Sequence, residues 1–139
     1  MLKLTLYTDG GSRGNPGIAG AGILITDEAG LSLVEASKPL GVMTNNEAEY
    51  QAAIFGFETL KQNFKDLSGV SIEHRLDSEL VCKQLKGEYK IKEPRLRVLA
   101  DQVHQTILPF KSQVVFTHIR REFNSVADKL ANKAMDEQE

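Results

Sequence analysis

The sequence predicts an α/β fold: a five-stranded mixed sheet flanked by helices, in the order βββαβααβα. Three observations carry that expectation. Residues 2–37 hold three strand-like segments separated by turn signals, the first of them alternating apolar and polar. From residue 45 onward, segments of helical period alternate with short apolar runs, the pattern of a mixed sheet covered by helices. The 139 residues suit one domain with a real core, and residues 1–139 show no repeat, low-complexity tract or linker.

Each element has its own local cause. Residues 2–8 alternate apolar and polar, as a half-buried strand does. Residues 10–22 hold six glycines and Pro16, which predicts a tight loop leading into the next strand. Residues 20–26 and 31–37 flank the turn Asp27-Glu28-Ala29-Gly30 and predict a hairpin. Asn45 or Asn46 can cap a helix running to about residue 63, with Ala52, Ala53, Phe57 and Leu60 on its apolar face. Residues 70–76 predict a fourth strand, and residues 78–85 a short helix. A connector over residues 87–94 leads to a helix over 95–107, which carries Leu96, Leu99, Val103 and Ile107 on one side. Residues 113–119 predict the last strand. Residues 124–135 predict a terminal helix with Val126, Leu130, Ala131 and Ala134 facing inward.

Composition narrows the function classes. Hydrophobic residues make up 41% of the chain, too many for a disordered protein. No run approaches the roughly 20 apolar residues of a membrane helix, and the first residues have no signal-peptide character. Cys82 stands alone, so neither an internal disulfide nor a cysteine-based zinc cluster can form. A cytoplasmic, membrane-free monomer is the expectation. The formal net charge of -2 hides a division. Residues 83–121 hold nine basic residues (Lys83, Lys86, Lys90, Lys92, Arg95, Arg97, Lys111, Arg120 and Arg121) against Glu88, Glu93 and Asp101, a balance of +6. The remainder stands at -8. Such a basic segment is either a solvated helix face or a surface that tracks phosphates.

Four acids draw attention by position. Asp9 is expected at the end of the first strand, Glu49 in the first turns of a helix, Asp77 at the end of the fourth strand, and Asp128 in the terminal helix. Each has a plain alternative. Asp9 suits a turn before Gly10, and Glu49 suits a helix N-terminus. Asp77 could cap the helix that Ser78 opens, and Asp128 could pair with Lys129 or Lys133. Strand ends of open α/β sheets are where sites form. Four clustered carboxylates repel unless a cation neutralises them. An all-oxygen set is what Mg²⁺ or Mn²⁺ prefers.

Five motifs in order then match a known family. Tyr7-Thr8-Asp9-Gly10-Gly11-Ser12, Gly14-Asn15-Pro16-Gly17, Thr44-Asn45-Asn46-Glu47-Ala48-Glu49, Asp77-Ser78 and Asn124-Ser125-Val126-Ala127-Asp128 span nearly the whole chain. Together they resemble type 1 ribonuclease H and its ribonuclease H-like fold. The resemblance implies that Asp9, Glu49, Asp77 and Asp128 hold two Mg²⁺ ions, with Mn²⁺ able to substitute. It implies endonucleolytic cleavage of the RNA strand of an RNA–DNA hybrid, leaving 3′-hydroxyl and 5′-phosphate ends. Double-stranded RNA is a second possible partner. Glu47 rivals Glu49, but two residues are about 200° apart on a helix, and the family pattern Asn-Asn-x-x-Glu selects Glu49.

The same resemblance places substrate contacts at Ser12, Arg13, Gly14, Asn15, Thr44, Asn45, Asn46, Arg121 and Asn124. Asn15 and Asn45 match positions that touch the minor groove, where 2′-hydroxyls are displayed; Thr44 matches one that holds a DNA phosphate. His118, six residues before Asn124, matches a mobile catalytic histidine, with Arg121 as the substitute candidate; a strand-end histidine is the plain reading. His74 and His104 are expected to be structural or merely exposed. Two departures stand out. The chain has no Trp, and only residues 87–94 stand where many bacterial members carry a Lys- and Trp-rich substrate handle. Glu79 stands where well-known members have Gln. Two other functions fit less well: a non-catalytic hybrid binder, which gains nothing from four acids facing phosphate, and a superfamily nuclease acting on another nucleic acid.

Overall fold

β1 (Lys3–Gly14) runs straight through the first glycines and turns at Asn15-Pro16 into β2 (Gly17–Thr26) in the computed structural model, which describes residues 2–139. The glycine-rich stretch is therefore paired strand rather than loop, with Asp9 opposite Gly22 and Gly11 opposite Gly20. β3 (Ser32–Met43) continues the meander six residues beyond its expected end. α1 (Asn45–Asn63), β4 (Ser71–Leu76), α2 (Glu79–Leu85), α3 (Pro94–Ile107), β5 (Val114–His118) and α4 (Ser125–Asp136) follow in the predicted order. A 3-10 turn over Leu108–Gln113, which periodicity does not announce, joins α3 to β5.

The sheet order is β3-β2-β1-β4-β5. β1 pairs with β2 antiparallel and with β4 parallel, and β4 pairs with β5 parallel. Pairing of β1 with β4 stops at Thr8 and Leu76. Asp9 thus sits not at the end of its own strand but at the point where its neighbour ends. That gap places the site.

Side chains alternate across β1. Leu4 and Leu6 join Ile23, Ile25, Ile72, Phe57 and Val103 in the core beneath α1 and α3. Asp9 lies on the opposite face, which α4 covers. α4 packs close because Gly20 and Gly22 have no side chain: a Cβ on Gly22 would lie 2.1 Å from the Ala127 carbonyl oxygen. Buried Ala127, Ala131, Ala134 and Met135 form the inner face of α4, with Leu130 half-buried, whereas Val126 turns outward at 36% exposure. The small residue is selected inward because two glycines on the strand leave room only for a backbone-close approach.

α1 is capped by Thr44, not by Asn45 or Asn46. The Thr44 hydroxyl accepts from the Glu47 amide at 3.2 Å, and the Glu47 carboxylate accepts from the Thr44 amide at 2.9 Å. This reciprocal box removes Glu47 from contention as a site residue. Thr44→Ala is expected to cost about 1 kcal/mol in urea unfolding, the usual worth of such a cap. His74 is fully buried, its Nε2 2.8 Å from the Thr8 hydroxyl and its ring edge-on to Phe57 and Phe116. Burial pushes it down to about 3, so it is a neutral core group. No described helix is long and apolar enough to cross a membrane.

Candidate active site

Two strands, β1 and β4, and two helices, α1 and α4, meet where β4 ends. β1 brings Asp9 to that edge, and the residue after Leu76 brings Asp77. Gly10 extends past the pairing with β4, and its N–H donates to Glu49 Oε1 at 2.8 Å. Glu49 reaches it because α1 lies against the bare backbone of Gly10. One carboxylate oxygen from each of Asp9, Glu49 and Asp77 lies within 4.8 Å of the others. Asp77 is oriented in turn by Asn124, whose Nδ2 donates to its carboxylate at 3.0 Å and to the Thr8 carbonyl at 2.9 Å. Asn124 is 1% exposed, so it braces the site from below.

The electrostatics follow from crowding. Burial, then the charges of Asp77 and Asp128, push Asp9 up to about 8, against a smaller opposing pull from Arg121. Glu49 is raised well above the usual carboxylate range by burial and then by Asp9 and Asp77. Asp128, half-buried on α4, faces Asp9 from beside the converging group of Asp9, Glu49 and Asp77. A metal ion fits this donor set. Every donor is a hard carboxylate oxygen, two of the acids are nearly inaccessible, and among the described residues the Arg121 charge opposes their repulsion only in part.

The predicted substrate residues fall into two groups. Ser12, Asn15 and Asn45 interlock: the Asn45 amide donates to Asn15 Oδ1 at 3.0 Å, and the Ser12 amide donates to Asn45 Oδ1 at 3.3 Å. The turn between them needs Gly14, whose φ is +103°. Asn15, Thr44 and Asn46 open onto a cleft of about 790 Å³ shared with Tyr89, Lys90 and Lys92 of the connector. In the second group, Arg121 is exposed and lies near enough to Asp9 and Glu49 to favour their charged forms. His118 is exposed at the last position of β5. Arg13 leans the other way, toward Asn132, Asp136 and Glu139 of the C-terminal segment. Sequence reasoning passed over Asn132, whose i, i+4 spacing from Asp128 was the available signal.

A parallel–antiparallel sheet whose central strand carries a carboxylate cluster beside a truncated neighbour defines the ribonuclease H-like class of α/β domains. A family model described as "Reverse transcriptase-like" matches residues 7–134. The chain is 39% identical over 136 residues to ribonuclease HI of Halobacterium salinarum, covering 97% of this chain and 65% of that one. A ribonuclease H1 isolated from compost by a metagenomic approach superposes with a TM-score of 0.94 at 45% identity, over 99% of both chains. That enzyme also has a crystal structure in complex with an RNA/DNA hybrid, which matches at 44% identity over 97% of this chain and 98% of that one, with a TM-score of 0.93. The chain belongs to the type 1 ribonuclease H family. A bifunctional protein of Mycobacterium tuberculosis is 36% identical, and the chain spans 36% of its length.

Proposed function

We propose that the chain is an endoribonuclease that hydrolyses the RNA strand of RNA–DNA hybrids, leaving 3′-hydroxyl and 5′-phosphate ends. The observation that carries this reading is the convergence of Asp9, Glu49 and Asp77 within 4.8 Å at a sheet edge. Asp9, Glu49, Asp77 and Asp128 would hold divalent cations, Mg²⁺ with Mn²⁺ able to substitute. Such ions supply an activated water and stabilisation of the leaving oxygen of a phosphodiester. The chain's own groups do the positioning. The Gly10 amide fixes the Glu49 carboxylate, and the Asn124 amide group fixes that of Asp77. Asn15 and Asn45, held to each other, offer donors and acceptors suited to 2′-hydroxyls. Arg121 carries a positive charge at the mouth, where a scissile phosphate would lie.

The test is cleavage of an end-labelled hybrid with Mg²⁺ or Mn²⁺, with single-stranded RNA, double-stranded RNA and the DNA strand as controls. Cutting confined to the RNA of the hybrid is expected. No cutting of the hybrid with either metal would overturn the reading.

The basic segment supplies a second measurable expectation. Within it, Lys83 and Lys86 pair with Glu88, Arg97 with Asp101, and Arg120 with Glu122. Among the described residues, Lys90 and Lys92 make no ion pair, and both line the cleft. Replacing both with Gln is expected to flatten the log–log salt dependence of hybrid binding by roughly 0.9 for each lysine that meets a phosphate. An unchanged slope would assign them to ordinary solvated surface.

A further inference from the structure

β1 and α4 carry two aligned contacts, and only one of them is catalytic. On β1, Asp9 and Arg13 are four residues apart and so share a face. On α4, Asp128, Asn132 and Asp136 recur every four residues along one side. Asp9 therefore meets Asp128, while one step along both elements Arg13 meets Asn132 and Asp136. The first contact joins two carboxyl groups, which share a hydrogen bond. The second is attractive: Arg13 Nη1 lies 2.7 Å from Asp136 and 2.9 Å from Glu139, and Nη2 donates to Asn132 Oδ1 at 3.1 Å.

The Asn132 amide links the two contacts. With its oxygen taken by Arg13, its NH₂ is directed at Asp128, donating to the backbone carbonyl at 3.0 Å and to Oδ1 at 3.4 Å. We propose that Asn132 is a positioning residue for Asp128 and that Arg13 locks it, holding the fourth carboxylate toward the metal-binding edge. This rests on the ribonuclease reading. It gives Arg13 a role within the fold in place of a substrate contact. Arg suits the position because one planar fork serves an amide oxygen and two carboxylates together.

The experiment compares the parent with Arg13→Gln, Asn132→Leu and the double variant. Metal-free protein is titrated with Mn²⁺ by calorimetry in the absence of nucleic acid. Then kcat and KM are measured on the hybrid, and Tm is recorded in EDTA. Each single variant is expected to weaken Mn²⁺ binding about tenfold, the lower end for loss of a group that orients a ligand. The double variant should be no weaker than the worse single one, because both act through one network. kcat should fall with the KM for hybrid unchanged. A raised KM in Arg13→Gln beside normal behaviour of Asn132→Leu would overturn the proposal and make Arg13 a substrate contact. A lowered Tm with an unaltered Mn²⁺ isotherm would also overturn it, leaving the network purely structural. If the parent neither binds Mn²⁺ nor cuts the hybrid, the ribonuclease reading itself fails, a result distinct from either of these.

Discussion

Asp9→Asn is expected to abolish hybrid cleavage, by on the order of a thousandfold or more, while making the metal-free protein more stable. The loss follows from position. Asp9 is the carboxylate that faces Asp77 and Asp128 as well as Glu49. Removing a preorganised charge at a reacting centre has consequences of that order. The gain in stability follows from the same crowding. In the unfolded chain Asp9 titrates near 3.9; in the folded, metal-free chain burial and its neighbours push it up to about 8. Its folded value is raised, so its contribution is fully present below about pH 4 and is lost as pH rises toward 8. Glu49 acts in the same direction. Glu73 does not interfere in this window. Burial opposes its ionisation, but hydrogen bonds from Arg75 and Lys3 prevail and hold it at about 2. Thermal melts in EDTA between pH 4 and pH 8 should show the Tm difference between Asp9→Asn and the parent growing in the variant's favour as pH rises; His74, which burial pushes down to about 3, acts the opposite way below about pH 6.5 and cancels in that difference. At pH 8 the variant should melt higher, by on the order of 5 °C. Adding Mn²⁺ should raise the parent far more than the variant. A variant that melts lower at every pH would show that Asp9 is not under electrostatic strain.

How the sequence encodes this site divides along a physical line. Element order and type were legible, because hydrophobic period is a local property of the chain. The four carboxylates were legible through their motifs; the structure brings Asp9, Glu49 and Asp77 to one edge, and Asp128 faces Asp9 from α4. Features that depend on two elements meeting were not. Residues 10–14 look like a loop because glycine disfavours strand in isolation; they are strand because β2 pairs with them, and Gly10 lets α1 approach closely. Thr44 displaces Asn45 as the cap through its reciprocal bond with Glu47, a Thr-x-x-Glu signature present in the sequence but overshadowed by two asparagines. Val126 fits the apolar period of α4 but faces solvent, since Gly22 admits only Ala127 beneath it. Asn124 carries no mark in the sequence that separates a substrate contact from a brace; only its burial and its bonds to Asp77 and Thr8 do.

The adjacent glycines of the first motif put this to a sharp test. A Cβ on Gly10 would lie 2.1 Å from the Ala48 carbonyl oxygen, 2.4 Å from its carbon and 2.7 Å from the Glu49 nitrogen. All three are backbone atoms, so no side chain can rotate aside and α1 itself must shift. Overpacking commonly costs 1–3 kcal/mol, and a clash with helix backbone belongs at about 3 kcal/mol or above. The displaced residues include Glu49, whose carboxylate the Gly10 amide holds. A shift near 1 Å at a reacting centre costs about a hundredfold in rate. Gly11 differs: its added Cβ would find only the Met135 Cε at 3.7 Å and Asn45 Oδ1 at 3.8 Å, ordinary contacts. Gly10→Ala is therefore expected to lose most of its stability and at least about a hundredfold in kcat. Gly11→Ala should stay within about 0.5 kcal/mol of the parent. Urea unfolding and steady-state cleavage of the two variants side by side measure both effects. Equal tolerance at the two positions would mean that α1 is free to move away from β1, and that Glu49 is not held by the close approach of those two elements.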